Sequence, residues 1–297
     1  MQKIKLIYLM GAGRSGTTAL ATFLGASSEI QVLGEMHQFF EHIYKSKTCS
    51  CNCKLINCEY WGKVLELLPQ ELIQKAESLN QMECSVEAHS TVLHHLIHSN
   101  NFKNSDLYLS SMAQILQTCQ QVNDKEVLLD SAKFISRALA LRNIEKIDLK
   151  VIYMVRDVRG VVHSFAKKVQ TSRGTLSSIV YYLIVNIVAE ISCRLGFKGK
   201  YIKVRYEDMM SSPVDFFNEL EDFLGIDLEN TKHSILNDKE FEIGHIIGGN
   251  RLKNNSAIKF NADNDWKKSR SKFGQVLTYL CALPIMILNR YPIYHKG

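Results

Sequence analysis

The chain has 297 residues, 46% of them hydrophobic and 22% charged, with a formal net charge of +6. That is the composition of an ordinary globular protein, large enough to bury a core without disulfides, and it excludes a disordered or collagen-like chain. The mild positive balance suits an anionic ligand, but no long Lys/Arg block points to a nucleic-acid partner.

The opening segment, MQKIKLIYLMGAGRSG, has too short an apolar run for a signal peptide and leads directly into glycines. A cytoplasmic location is therefore the default expectation. Residues 5–10 (KLIYLM) predict a buried strand and residues 17–25 the helix after it. Strand, glycine loop and helix are the opening of a parallel α/β sheet. Residues 45–60 read as an irregular insertion carrying Cys49, Cys51, Cys53 and Cys58. Without a secretory signal a disulfide framework is the less favoured reading. Thiolates suit zinc, but the C-x-C-x-C spacing is not that of a standard zinc finger, and ligands so close together often cannot all face one ion. Disulfide, metal and neither all stay open.

Helical patterning dominates residues 61–121. Within it His94 and His98 stand four apart, a spacing that can hold a metal, but no H-E-x-x-H frame surrounds them. Residues 127–130 predict a second strand, with a helix from there through Ile147. Residues 151–155 (VIYMV) predict an interior strand, 156–168 a helix, and 201–205 a further strand. In residues 214–224, Phe216, Phe217, Leu220, Phe223 and Leu224 recur at helical spacing, and Gly225 supplies a C-cap. Two apolar stretches, 179–191 and 276–288, fall short of the ~20 residues a bilayer requires. Asn186 and Glu190 interrupt the first and Pro284 the second, so both read as buried helices and no transmembrane segment is expected. Peripheral membrane contact stays open. With no repeat, linker or composition break, a single domain over residues 1–297 is expected, with the cysteine-rich insertion inside it. Oligomeric state is not legible.

The loop GAGRSGTT, residues 11–18, compares with the P-loop G-x-x-x-x-G-K-[ST]. Gly11 and Gly16 take the glycine positions, which lets backbone N–H groups curl around an anion at a helix N-terminus. Thr17 stands where a P-loop ATPase has lysine, and the nearest cation is Arg14. A triphosphate hydrolase needs that lysine and a bound Mg²⁺, so the loop suits another phosphate-like group. Ser15, Thr17 and Thr18 add hydroxyl donors. After the interior strand comes RDVRGVVHS. Arg156 stands at the strand's carboxyl end, where open α/β sheets place ligands, and Ser164 lies in the following helix. Two anion sites at two parallel strand ends imply a nucleotide with phosphates at both ends.

Here the chain resembles sulfotransferases that use 3′-phosphoadenosine 5′-phosphosulfate (PAPS). GAGRSGTT resembles the family's 5′-phosphosulfate loop, and RDVRGVVHS its 3′-phosphate site, with Arg156 and Ser164 as ligands. VRYEDM, around Arg205 to Met209, resembles the motif that sets an aromatic ring, here Tyr206, beside the adenine. The resemblance spans about residues 5 to 270 and implies a three-layer α/β fold: a central parallel β-sheet flanked by helices, P-loop NTPase-like in outline. It places Gly13, Arg14, Ser15, Gly16, Thr17 and Thr18 at the donor. HIIGGNRLK, residues 245–253, resembles a late loop that closes over the donor with Asn250 and Arg251, and Trp266 and Lys267 also look family-like. The segment ending Cys58-Glu59-Tyr60-Trp61 resembles an insertion of bacterial-type members.

The resemblance also implies roles. Glu35, in VLGEMHQF, stands where carbohydrate- and tyrosine-type members have their base, and a raised pKa would suit that work. His37 is the alternative, because phenol- and hydroxysteroid-type members use histidine. Arg14 and Lys133 (in LLDSAKF) supply positive charge to the transferring group, while Asp130 and Ser131 shape the loop. The chemistry needs no metal. The acceptor is expected to be a saccharide or another hydroxyl-bearing metabolite, or an amine, with a lipid-linked acceptor open. Its pocket is expected from helices in 61–121 and 171–195, with aromatics Tyr108, Tyr181 and Tyr182. The rival readings are a P-loop kinase or nucleotide hydrolase, which lacks its lysine at Thr17, and a non-catalytic nucleotide-binding module.

Overall fold

A computed structural model of the chain describes residues 3–98, 105–167, 173–249, 256–269 and 271–294. Five parallel strands form one sheet in the order β2-β3-β1-β4-β5: β1 Ile4–Gly11, β2 Ile30–Gly34, β3 Val127–Lys133, β4 Ile147–Val155 and β5 Tyr201–Arg205. The central strands are buried on both faces, which accounts for near-continuous apolar runs rather than alternation. Helices cover both faces. Thr17–Leu24 and Pro213–Leu224 pack on one side through Leu20, Phe23, Phe217 and Leu220. Helices Glu59–Leu67, Ser105–Gln121 and Ile135–Arg142 pack on the other through Trp61, Met112, Leu116 and Leu139. Gly225 closes the helix before it at φ 67, as a C-cap glycine should.

Four expectations need correction. Strand β2 was not foreseen. It is five residues long, follows a helix at once and pairs only with β3 in the sheet, so its apolar signal is brief. The helix after β3 stops at Arg142, and Ile147 begins β4, whose polar Asp148 and Lys150 hide its first half as strand. The helix expected over 156–168 spans Val158–Ala166, because the Asp157 side chain accepts from Arg159 N–H and fixes its start.

The fourth concerns the apolar helices. The first is a 22-residue helix, Thr175–Gly196, and it is only half buried. Ile179, Tyr182, Asn186, Ala189 and Cys193 face the protein, whereas Leu176, Val180, Ile184, Ile187, Ile191 and Leu195 form an exposed apolar stripe. It is the one helix among the described residues long and apolar enough to cross a membrane. Asn186 does not interrupt it, because its amide group meets the buried Tyr153 hydroxyl at 2.9 Å. The second stretch is two short helices, Lys272–Cys281 and Leu283–Leu288, with Leu277, Leu280 and Ile287 exposed.

Candidate active site

The first loop, Glu35, Lys133, Arg156 and Tyr206 stand at or just beyond the carboxyl ends of strands, where a parallel sheet leaves its crevice, and Ser164 lies in the helix after β4. The loop after β1 turns into helix Thr17–Leu24 through Gly16, whose φ is 98. A Cβ there would sit 2.5 Å from Cδ2 of Tyr206, so the position is closed to other residues by both torsion and space. Arg14 also has a left-handed backbone, at φ 70. Such strain persists only where the surroundings over-determine it. Gly13 N–H donates to the Tyr181 hydroxyl (2.9 Å). Ser15 is fully buried, and its Oγ has no hydrogen-bond partner among the described residues.

At the ends of β2 and β3, Glu35 and Lys133 form an ion pair. Strand β3 runs on past the predicted 127–130 to Lys133, which is its last residue and has a φ of 75. Behind the pair, Asp130 accepts from Met36 N–H and Ala132 N–H and takes Arg137 Nε at 2.8 Å, which locks the two strand ends together. Arg137 is itself fully buried against Glu83 and Glu87. Burial pushes the Glu35 carboxyl up, but the Lys133 charge and hydrogen bond, helped by His37 and by Gly249 N–H, win and hold it below the ordinary carboxylate range. The expected raised pKa is therefore corrected: the ion pair outweighs desolvation. His37 packs edge-on against Phe134, with ring centroids 4.5 Å apart. Burial lowers its pKa to about 4, so the imidazole is neutral.

After β4, Arg156 lies over the Tyr206 ring (4.2 Å) and donates to Arg14 C=O (3.2 Å) and Asp263 C=O (3.0 Å). Its Nε is buried without a partner among the described residues. Arg156 does not pair with Asp157, which is held by Arg159 at 2.6 Å; its carboxylate neighbour is Asp263 at 3.4 Å. Tyr206 opens the helix after β5, and its hydroxyl accepts from Asp263 N–H (3.0 Å).

These residues line one cleft of ≈ 620 Å³: Gly13, Arg14, Gly16, Thr17 and Thr18 from the first loop, then Glu35, Lys133, Arg156, Ser164 and Tyr206. Lys167, Arg173, Tyr181, Lys259 and Asp263 join them and had not been singled out for the donor. Lys167 falls inside a predicted helix, and the others reach the cleft from elements distant in sequence. Asn250 and Arg251 lie outside the described residues. Trp266 packs beneath Arg159 (4.9 Å). A smaller cavity of ≈ 140 Å³, bounded by Glu35, His37, Lys133 and Tyr181, adjoins the cleft. Ile135 and Tyr181 also line a further, mostly apolar pocket of ≈ 620 Å³, with Val92, Val180, Ile184 and Val188 beside the polar His89 and Ser177; Tyr181 and Arg173 are shared with the donor cleft. The pocket thus draws on both expected helical regions. Of the three tyrosines, only Tyr181 reaches it. Tyr108 is buried against Glu87, and the Tyr182 hydroxyl donates to Arg156 C=O (2.9 Å). The His94 and His98 rings lie 5.1 Å apart and gain no third metal ligand among the described residues.

A family model described as "Sulfotransferase family" matches residues 7–230. Carbohydrate sulfotransferase 1 of Danio rerio is 28% identical over 111 residues, 30% of this chain and 26% of that protein. The chain therefore matches about a quarter of that relative's length. Among solved structures, the sulfotransferase domain of the Synechococcus PCC 7002 olefin synthase superposes with a TM-score of 0.51 at 17% identity, covering 98% of this chain and 97% of that one. A mouse sulfotransferase complexed with PAP gives 0.44 at 13% identity, covering 91% and 80%. At such identities the structural likeness concerns the fold.

Proposed function

Because the chain belongs to the sulfotransferase family, we propose that it transfers the sulfuryl group of PAPS to a hydroxyl carried by an apolar acceptor. The observation that carries the reading is that the first loop, the Glu35–Lys133 pair and Arg156 line a single cleft. The donor supplies an activated sulfuryl group with 3′,5′-adenosine bisphosphate as leaving group. The cleft suits that anion: the Arg156 Nε is a buried donor without a partner among the described residues, and the first loop opens onto a helix N-terminus. Arg156 and Ser164 take the 3′-phosphate, residues 13–18 the 5′ end, and Tyr206 the adenine face.

Glu35, ionised at neutral pH, accepts the acceptor's proton. Lys133 and Arg14 steady the charge that builds on the sulfuryl oxygens. His37 is neutral and desolvated, which suits it to shaping the small cavity rather than serving as first base. Positioning and charge do the work, and these side chains provide both without a metal.

The lining of the pocket beyond Glu35 supports one acceptor class over another. A saccharide needs a polar partner for each buried hydroxyl, since an unmatched one costs about 1–3 kcal/mol. Val92, Ile135, Val180, Ile184 and Val188 offer none, which leaves only His89, Arg173, Ser177 and Tyr181 as polar groups on the pocket's lining. An aliphatic or aromatic alcohol buries its body there and presents its hydroxyl to Glu35. Titration calorimetry with 3′,5′-adenosine bisphosphate, in parallel with ATP plus Mg²⁺, tests the donor. Metal-independent bisphosphate binding that Arg156→Ala weakens supports the reading. Binding of ATP–Mg²⁺ alone overturns it in favour of a kinase or hydrolase.

A further inference from the structure

The cysteine-rich insertion converges on one point. Sγ of Cys49, Cys51 and Cys58 and a ring nitrogen of His245 all lie within 4.8 Å of one another. Cys58 Sγ is 3.3 Å from His245 Nδ1. Four ligands tetrahedral about zinc, with Zn–S near 2.3 Å and Zn–N near 2.05 Å, stand about 3.5–3.8 Å apart, so the cluster needs only a small contraction to close on an ion. The crowding expected of C-x-C-x-C is avoided because Cys53 turns outward and is exposed, leaving three thiols and the histidine. Cys49 and Cys58 are buried, and all three cysteines are free.

We propose that Cys49, Cys51, Cys58 and His245 bind one structural zinc ion that fastens residues 243–249 to the insertion. Three thiols and an imidazole are the donor set of closed structural zinc sites, with no position left for a reacting water. Binding takes the three thiol protons to solvent, including the one Cys49 shares with Ile246 C=O (3.6 Å), and leaves Cys₃His–Zn with one net negative charge. The surroundings support a fastener. Ser50 Oγ donates to Gly244 C=O (2.6 Å) and accepts from Ile246 N–H (2.9 Å), and Trp61 Nε1 donates to His245 C=O (3.0 Å). Beyond the histidine, Ile247 runs parallel to Gly34 and exchanges backbone hydrogen bonds with Leu33 and Glu35. Gly249 N–H then reaches the Glu35 carboxylate. The ion would thus hold the segment that braces Glu35.

The test is metal analysis of the full-length chain purified without chelator, which does not depend on any sulfuryl-transfer assay. One equivalent of zinc per chain is expected, falling at least tenfold in Cys51→Ser and His245→Asn and unchanged in Cys53→Ser and Cys84→Ser. Cobalt(II) added to stripped protein should give the intense charge-transfer and visible bands of a tetrahedral thiolate site. Wild-type protein that lacks zinc and gives no cobalt spectrum overturns the proposal. So does a disulfide between any two of the three cysteines, read by mass spectrometry without reductant, or zinc that persists in both ligand variants.

Discussion

Glu35 and Lys133 form an ion pair across the ends of adjacent strands, with side chains 13% and 19% exposed, and the lysine holds its place in a left-handed backbone conformation. The pairing favours the ionised form of Glu35 before any ligand arrives. Glu35→Gln keeps the shape and removes the proton acceptor. Turnover should fall by roughly 10²–10⁴-fold, the range of a general base, with bisphosphate affinity within about threefold of the parent. Steady-state kinetics beside calorimetry separates the two, and unchanged turnover removes Glu35 from the chemistry.

The same pair predicts a pH signature. Lys133 pulls the Glu35 carboxyl below its ordinary value against the upward push of burial. In Lys133→Met burial is opposed only by His37 and the Gly249 N–H, so the carboxyl should titrate higher than in the parent. The acid limb of kcat/KM, which reports the free enzyme, should therefore move to higher pH in the variant. A limb that stays in place would mean that another group titrates there.

Stability should carry a matching pH dependence. Burial lowers the His37 pKa from 6.5 to about 4, so the unfolded chain binds the proton more readily. The depressed Glu35 carboxyl acts in the same direction. For His37, stability is complete above about pH 6.5 and is lost progressively down to about pH 4, by up to about 3 kcal/mol at one proton. Urea unfolding at pH 7.5 and 5.0 reads the difference. His37→Gln should flatten it by about 2 kcal/mol, and an equal slope in both proteins excludes His37 as its source.

Much of this site can be read from the sequence because its parts are local. The loop at residues 11–18 and Arg156 sit directly after apolar runs, and a strand end followed by glycine or arginine is a short-range pattern. What sequence does not carry is pairing across distance. Tyr181 reaches Gly13 over 168 residues and His245 reaches Cys58 over 187, and no periodicity encodes either. The sign of the Glu35 shift also depends on a contact 98 residues away. The helix Thr175–Gly196 misled in another way: apolar on nearly every side, it reads as buried, yet only one face meets the protein.

Asp263 is the carboxylate that Arg156 and Lys167 both contact, at 3.4 and 3.3 Å. A phosphate entering the cleft must take these cations from it. Asp263→Asn removes a competitor and a repulsive charge, so the bisphosphate should bind several-fold more tightly, with a steeper fall in affinity as salt rises. Arg156→Lys cannot replace the guanidinium fork and should weaken binding tenfold or more, on the order of 1.5–3 kcal/mol for a charged hydrogen-bonding group. Tighter binding in the arginine variant, or weaker binding in the aspartate variant, reverses the electrostatic account of the cleft.

The acceptor pocket gives the sharpest division of labour. Val188 lines it and stands apart from the donor cleft, whereas Tyr181 belongs to both. Val188→Trp fills apolar volume without touching a group assigned to the donor. Bisphosphate affinity should stay within about twofold, while kcat/KM for an apolar alcohol or phenol should drop tenfold or more, the loss expected when one to two kcal/mol of pocket contacts are displaced. A saccharide acceptor entering from the open side of the donor cleft would be indifferent to the substitution. If the tryptophan leaves turnover of every acceptor unchanged, the apolar pocket is not the acceptor's route, and the polar mouth around Lys167 and Lys259 takes its place.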